Sequence, residues 1–168
     1  MSTQFADRSE PYTVVTPALV DELVVAAKRA PLRRARLCLH GGPDDVLHEM
    51  VIALCHDSYV TPHRHHAKSE SFHVLVGEVT VVFFDDRGEE KSRVRLSAED
   101  TGSPRLYRLN QPCWHTVLVH GESAVIHETT VGPFRKDETE IAPWAPLASD
   151  ASAAAHYLRT LKSTFHSV

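Results

Sequence analysis

Hydrophobic and polar positions change period along this chain, and the changes mark its elements. Residues 1 to 15 are polar and carry no clear period. Over "TPALVDELVVAAKRAP", residues 16 to 31, Leu19, Val20, Leu23, Val24 and Ala27 recur at helical spacing, with Thr16 as N-cap, Pro17 in the first turn and Pro31 as a stop. That spacing predicts a short amphipathic helix over 16 to 30. At "RRARLCLH", 33 to 40, the period becomes two, with Arg34, Arg36, Cys38 and His40 on one face of a strand and Leu37 and Leu39 on the other. Further strands are predicted at 47 to 56, 71 to 77, 79 to 86, 92 to 97, 105 to 109, 115 to 120 and 124 to 130. Turn chemistry at "GGPDD" (41 to 45), "DDRGE" (85 to 89) and "HGES" (120 to 123) predicts antiparallel hairpins. Beyond the proline-punctuated "APWAPL", a second helix is predicted over 149 to 165, capped by Ser149 or Asp150.

Many short strands between two terminal helices predict a mainly β protein, a sandwich or closed barrel. At 168 residues the chain is long enough for one domain and short for two. The net charge of -4 with interspersed signs excludes a broad cationic face, so neither nucleic acid nor a membrane surface is an expected partner. No N-terminal apolar segment follows a basic start and no apolar run is long enough to span a bilayer, which reads as a soluble cytoplasmic protein. Cys38, Cys55 and Cys113 are odd in number and lack CxxC spacing, so they are expected to be reduced and buried. There is no G-x-S-x-G, Walker A loop or dinucleotide fingerprint.

The densest chemistry is "PHRHHAKSESFHVLVGE", residues 62 to 78. On a strand, His63 and His65 share a face while Arg64 points away, and Glu70 follows after a connection short enough for a hairpin. Gly77 lies where the next strand is expected to turn sharply. His115 opens an alternating strand in "NQPCWHTVLVH" and can face the same interior. Three imidazoles and one carboxylate suit a divalent transition metal such as Fe, Zn, Ni, Mn or Cu, and disfavour Ca or Mg. Cys113 is the alternative sulfur ligand, two residues from His115, whereas alternation turns His73 away from Glu70, and His66 is disfavoured by its adjacency to His65. A solvated histidine cluster is the competing reading.

Other residues join this chemistry by face. On an inner face Arg34 and Arg36 would need an anionic partner such as a ligand carboxylate or phosphate; the competing reading is an exposed face, or pairing with Asp and Glu on a neighbouring strand. His40 shares their face, and His127 is a second candidate to move a proton, with Glu128 opposite it. Phe72, Tyr107 and Trp114 are stacking surfaces for a sugar ring or else core.

His63, His65, Glu70 and Gly77 stand as in the first motif of the cupin family, and the chain resembles that family. The second motif is met at His115, with Pro112 three residues before it instead of five, no intervening glycine, and Val119 where the family has asparagine. Across residues 33 to 146, through "RARLCLH", "PCWHTV" and "HETTVGPF", the text looks like the WbuC-type cupin-fold metalloproteins. The resemblance implies a small antiparallel β-barrel holding one metal at His63, His65, Glu70 and His115, a homodimer, and a setting in surface-polysaccharide biosynthesis. On this reading the protein acts on a small anionic, carbohydrate-related substrate, with Arg34, Arg36, Phe72 and Tyr107 binding it and His40 or His127 moving a proton in isomerisation or epimerisation. An Fe(II) dioxygenase and a non-catalytic ligand sensor are the alternatives.

Overall fold

A computed structural model describes residues 2 to 66, 68 to 99 and 102 to 164. Along the chain run β1 (Ser2–Phe5), α1 (Pro17–Arg29), β2 (Arg34–Cys38), β3 (Leu47–Cys55), β4 (His63–His65), β5 (Glu70–Phe84), β6 (Glu90–Ser97), β7 (Leu106–Leu109), β8 (Trp114–Val131), β9 (Thr139–Ile141) and α2 (Ala151–Ser163). The strands form one sheet in the order β1-β2-β3-β8-β4-β9, with β5 joining β6 and β7 to β8. Among the described residues, no helix is long and apolar enough to cross a membrane.

Two long strands organise the sheet, and each replaces a pair of shorter strands expected from the sequence. β5 and β8 pair antiparallel over nearly their whole lengths, from Glu70 opposite Thr130 to Phe84 opposite Trp114, with register shifts around Val76. Gly77 (φ 72°) and Gly121 (φ 65°) sit at these irregularities. Gly77 therefore bends one strand and does not turn into another, and "HGES" is a kink in β8, not a hairpin. A side chain at Gly77 would bring its Cβ within 2.7 Å of the Ser123 carbonyl oxygen. The bulge reverses which residues face inward. On β5 the interior cluster takes Phe72 and Val74 before it and Val79 and Val81 after it, and on β8 it takes Val117 and Val119 before and Ala124 and Ile126 after.

Both outer faces of the sheet are covered by helices. Thr16 Oγ1 accepts from the Leu19 N–H and Pro17 opens α1, as expected. The buried Leu23 and Ala27 of α1 pack on Ala35, Leu37, Val51 and Val125. Asp150 caps α2 through the Ala153 N–H, and Ala154, Leu158 and Leu161 pack on Val82, Phe84, Trp114 and Leu118. Each buried leucine contributes about 1.5–3 kcal/mol relative to exposure. The expected last residue of this helix, 165, lies outside the described residues. β1 was not legible as a strand. It pairs parallel with β2, an arrangement that the α1 crossover permits and a tight hairpin would not.

Candidate metal centre

β4 brings the first two histidines to the interior. Its three residues pair with β9, and His63 pairs with His115 of β8. Alternation turns Arg64 outward, where it meets Glu140 at 2.7 Å and Asp86 at 3.0 Å and lies 4.3 Å from the centre of a Trp114 ring. The donor atoms of His63, His65 and His115 lie within 4.8 Å of one another, a group that can hold a metal ion with bonds of about 2.0–2.2 Å after small side-chain adjustments. Glu70 opens β5 at their side. Its Oε1 is 2.9 Å from His115 Nε2 and its Oε2 is 3.4 Å from His65 Nε2.

Hydrogen bonds on the far side of the rings set their tautomers. His63 Nδ1 lies 2.9 Å from the Thr61 carbonyl and His115 Nδ1 2.9 Å from the Cys113 carbonyl. A carbonyl only accepts, so each Nδ1 carries hydrogen and each Nε2 offers a lone pair. His65 Nδ1 is 3.0 Å from Thr139 Oγ1. His115 Nε2 is thus buried, without a hydrogen-bond partner, against a carboxylate oxygen. Two electron-rich atoms in that position need a proton or a cation between them, and a cation fits. Tyr107, behind Glu70, donates its hydroxyl to Oε1 at 3.0 Å. Such outer hydrogen bonds are what orient metal ligands.

Electrostatics in this pocket follow from burial and proximity. Burial, reinforced by neighbouring His115, pushes His63 down to about 3, so its ring stays neutral and available as a donor. Burial alone would raise Glu70, but the His115 and His65 rings set against its two oxygens outweigh burial and hold the carboxyl well below its usual range. Burial likewise opposes charge on His115, and the Glu70 carboxylate overrides it and raises the ring. A cavity of about 710 Å³ opens onto His63, His65 and Glu70.

A family model described as a domain of unknown function, DUF6016, matches residues 15–96. No curated protein matches the chain in sequence. Among solved structures, CapF with the inhibitor 3-isopropenyl-tropolone is 16% identical with a TM-score of 0.52, over 63% of this chain and 31% of CapF. A second CapF structure, the capsular polysaccharide assembling protein of Staphylococcus aureus, gives 16% and a TM-score of 0.50 over the same shares. Protein SO0799 from Shewanella oneidensis is 11% identical with a TM-score of 0.52, over 71% of this chain and 74% of that one. The chain therefore spans about a third of CapF. The fold is that of the cupins. At these identities the likeness is one of fold alone.

Within this cupin barrel the remaining candidates separate. Arg34, Arg36, Cys38 and His40 all line the cavity, as their shared face predicted. Phe72 lines it too and is 4% exposed. Tyr107 acts from behind, edge-on to Phe72 at 5.1 Å and bonded to Glu70. Trp114 belongs to the outer core under α2, where its Nε1 donates to Asp86. Cys113 offers its carbonyl to His115 while its thiol, raised by burial, contacts the Trp114 carbonyl. His66 is on the outside, 2.8 Å from Glu140.

One expectation is corrected. His127 does not point inward; its Nε2 lies 3.5 Å from Glu49 on the outer face, and Glu128 lines the cavity in its place. The bulge at Gly121 reverses the parity of β8, so a count by twos from His115 selects the wrong neighbour. Burial, reinforced by Glu70, pushes the Glu128 carboxyl up to about 8. His48 was also missed: it stacks on His40 at 4.0 Å and is buried at the cavity edge. No local signal distinguished it from a core histidine.

Proposed function

We propose that this cupin holds one divalent transition metal at His63, His65, Glu70 and His115 and acts on a small anionic, carbohydrate-related molecule in the adjoining cavity, as an isomerase or epimerase. The observation that carries the reading is the buried lone pair of His115 Nε2 set against Glu70, with the Nδ1 atoms of His63 and His115 already committed to carbonyls. A metal bound there supplies Lewis acidity that polarises a carbonyl or hydroxyl. The protein's own residues do the rest. Arg34 and Arg36 offer positive charge to the anionic group. Glu128, protonated near neutral pH, replaces His127 as the proton carrier inside the cavity. His40, its Nδ1 engaged with the Glu49 backbone, keeps Nε2 for a proton at the cavity edge. The carbohydrate relation rests on the cupin resemblance and on the fold shared with CapF, a capsular polysaccharide assembling protein.

Elemental analysis tests the centre. Protein purified without added metal is expected to carry about one transition-metal ion per chain, and His63→Ala to fall well below that with an unchanged far-UV circular dichroism spectrum. Undiminished metal in the variant removes His63 from the site. Deuterium uptake from D2O by sugar acids or phosphates next to a carbonyl tests the reaction class.

A further inference from the structure

The cavity wall between the arginines and the metal ligands has a polarity that a fully hydroxylated ligand does not match. In register across the sheet, Arg36 pairs with Ile52, Ile52 with Ile126 and Ile126 with Val74, and in the next inward row Cys38 pairs with Met50, Met50 with Glu128 and Glu128 with Phe72. Three strand spacings of ~4.8 Å put about 14 Å of backbone between β2 and β5. Over that distance three consecutive inward side chains of β3, Met50, Ile52 and Leu54, are apolar and under 10% exposed, and the strand's polar inward residue, His48, stands beyond them toward Glu70. On these two rows Glu128 is the one charged side chain beyond Arg36, and polar lining resumes only on the following row, where His48 and Thr130 lead to Glu70.

The arginine end, by contrast, lacks a counter-charge. Among the described residues no carboxylate lies within ion-pair distance of Arg34 or Arg36. Arg34 has one long contact, 3.3 Å to the Tyr59 carbonyl, and its buried Nε has no partner. Arg36 reaches Thr3 Oγ1 at 3.1 Å and the Met50 sulfur at 3.7 Å. Guanidinium groups so placed are complementary to a carboxylate or phosphate.

We propose that the cavity selects an acid with a deoxygenated carbon body. Its anionic group sits on Arg34 and Arg36, its apolar middle lies on Ile52, Leu54 and Ile126, and its far end presents oxygen to the metal side. One hydroxyl, opposite Glu128, finds a partner; each further one against Met50, Ile52 or Leu54 leaves water for a hydrocarbon wall. This rests on the proposed metal-dependent reading and narrows its substrate class.

Adipate and D-glucarate share a six-carbon, two-carboxylate skeleton and differ by four hydroxyls, so they isolate the wall's preference. In calorimetric titrations of the full chain loaded with Zn²⁺, adipate is expected to bind at least tenfold tighter than glucarate, and Ile52→Thr to narrow that ratio several-fold. Glucarate binding as tightly as adipate, or neither acid binding to a protein that retains its zinc, overturns the inference and leaves the metal reading standing. A wild-type chain that fails to hold zinc overturns the metal reading instead. The wild-type comparison decides the matter even if the Ile52 variant does not fold.

Discussion

The two walls of the cavity are held in different ways. On the β4 and β8 side, each donor that faces the proposed metal has a second partner behind it: Thr61 for His63, Thr139 for His65, Cys113 for His115 and Tyr107 for Glu70. On the β2 side, Arg34 has a buried Nε with no partner and Arg36 leans on a hydroxyl and a sulfur. A wall braced from behind has its geometry set before anything binds, at little further entropic cost. A wall with unmatched charge is completed by what binds there. The difference separates a proposed cation site that is preorganised from a proposed anion site that is open.

Removing one brace from the first wall is expected to have the largest effect. Burial, then the Glu70 field, push the Tyr107 phenol far up, so it remains an O–H donor at every accessible pH. Tyr107→Phe should therefore weaken metal binding by about 10–100-fold with the fold retained, read by competition against a chelator. An unchanged chelator midpoint would mean that Glu70 needs no support. The second wall should answer differently. Arg36→Gln is expected to leave metal content untouched and to weaken adipate binding on the order of tenfold, since one charge-assisted contact is worth about 1.5–3 kcal/mol. A loss of metal in that variant would erase the distinction between the walls.

The last effect is on stability alone, at Glu128 between the two walls. Its folded-state pKa of about 8 stands above its ordinary 4.5. Folding therefore favours the protonated form, a contribution fully present below about 4.5 and lost as pH rises through about 8. His63, lowered to about 3, acts in the opposite sense and is common to both proteins compared. In metal-free samples, Tm of the wild type should fall more between pH 5 and pH 8.5 than that of Glu128→Gln. Parallel curves would remove Glu128 as a titrating group in the cavity.

Much of the site was legible because it is local. His63 and His65 share a face by period two, as do Arg34, Arg36, Cys38 and His40, and the short connection from "HRH" to Glu70 kept three donors together. The caps of α1 and the turn at "DDRGE" were equally direct, with Gly88 at φ 83° closing the latter. β4 and β9, at three residues each, are too short to show a period, and β1 has no apolar alternation.

Composition and spacing by themselves indicated the mainly β class, the shared face of β2 and the candidate donors His63 and His65, because those depend on residues one or two positions apart. Only the tertiary structure decided that Glu128 and not His127 faces the cavity, that Tyr107 supports Glu70, and that the walls of β2 and β4 enclose one space. The physical reason is that side-chain direction beyond a bulge is set by hydrogen-bond register with a partner strand, and β8 takes its register from β5 and β3, whose residues are distant in the chain.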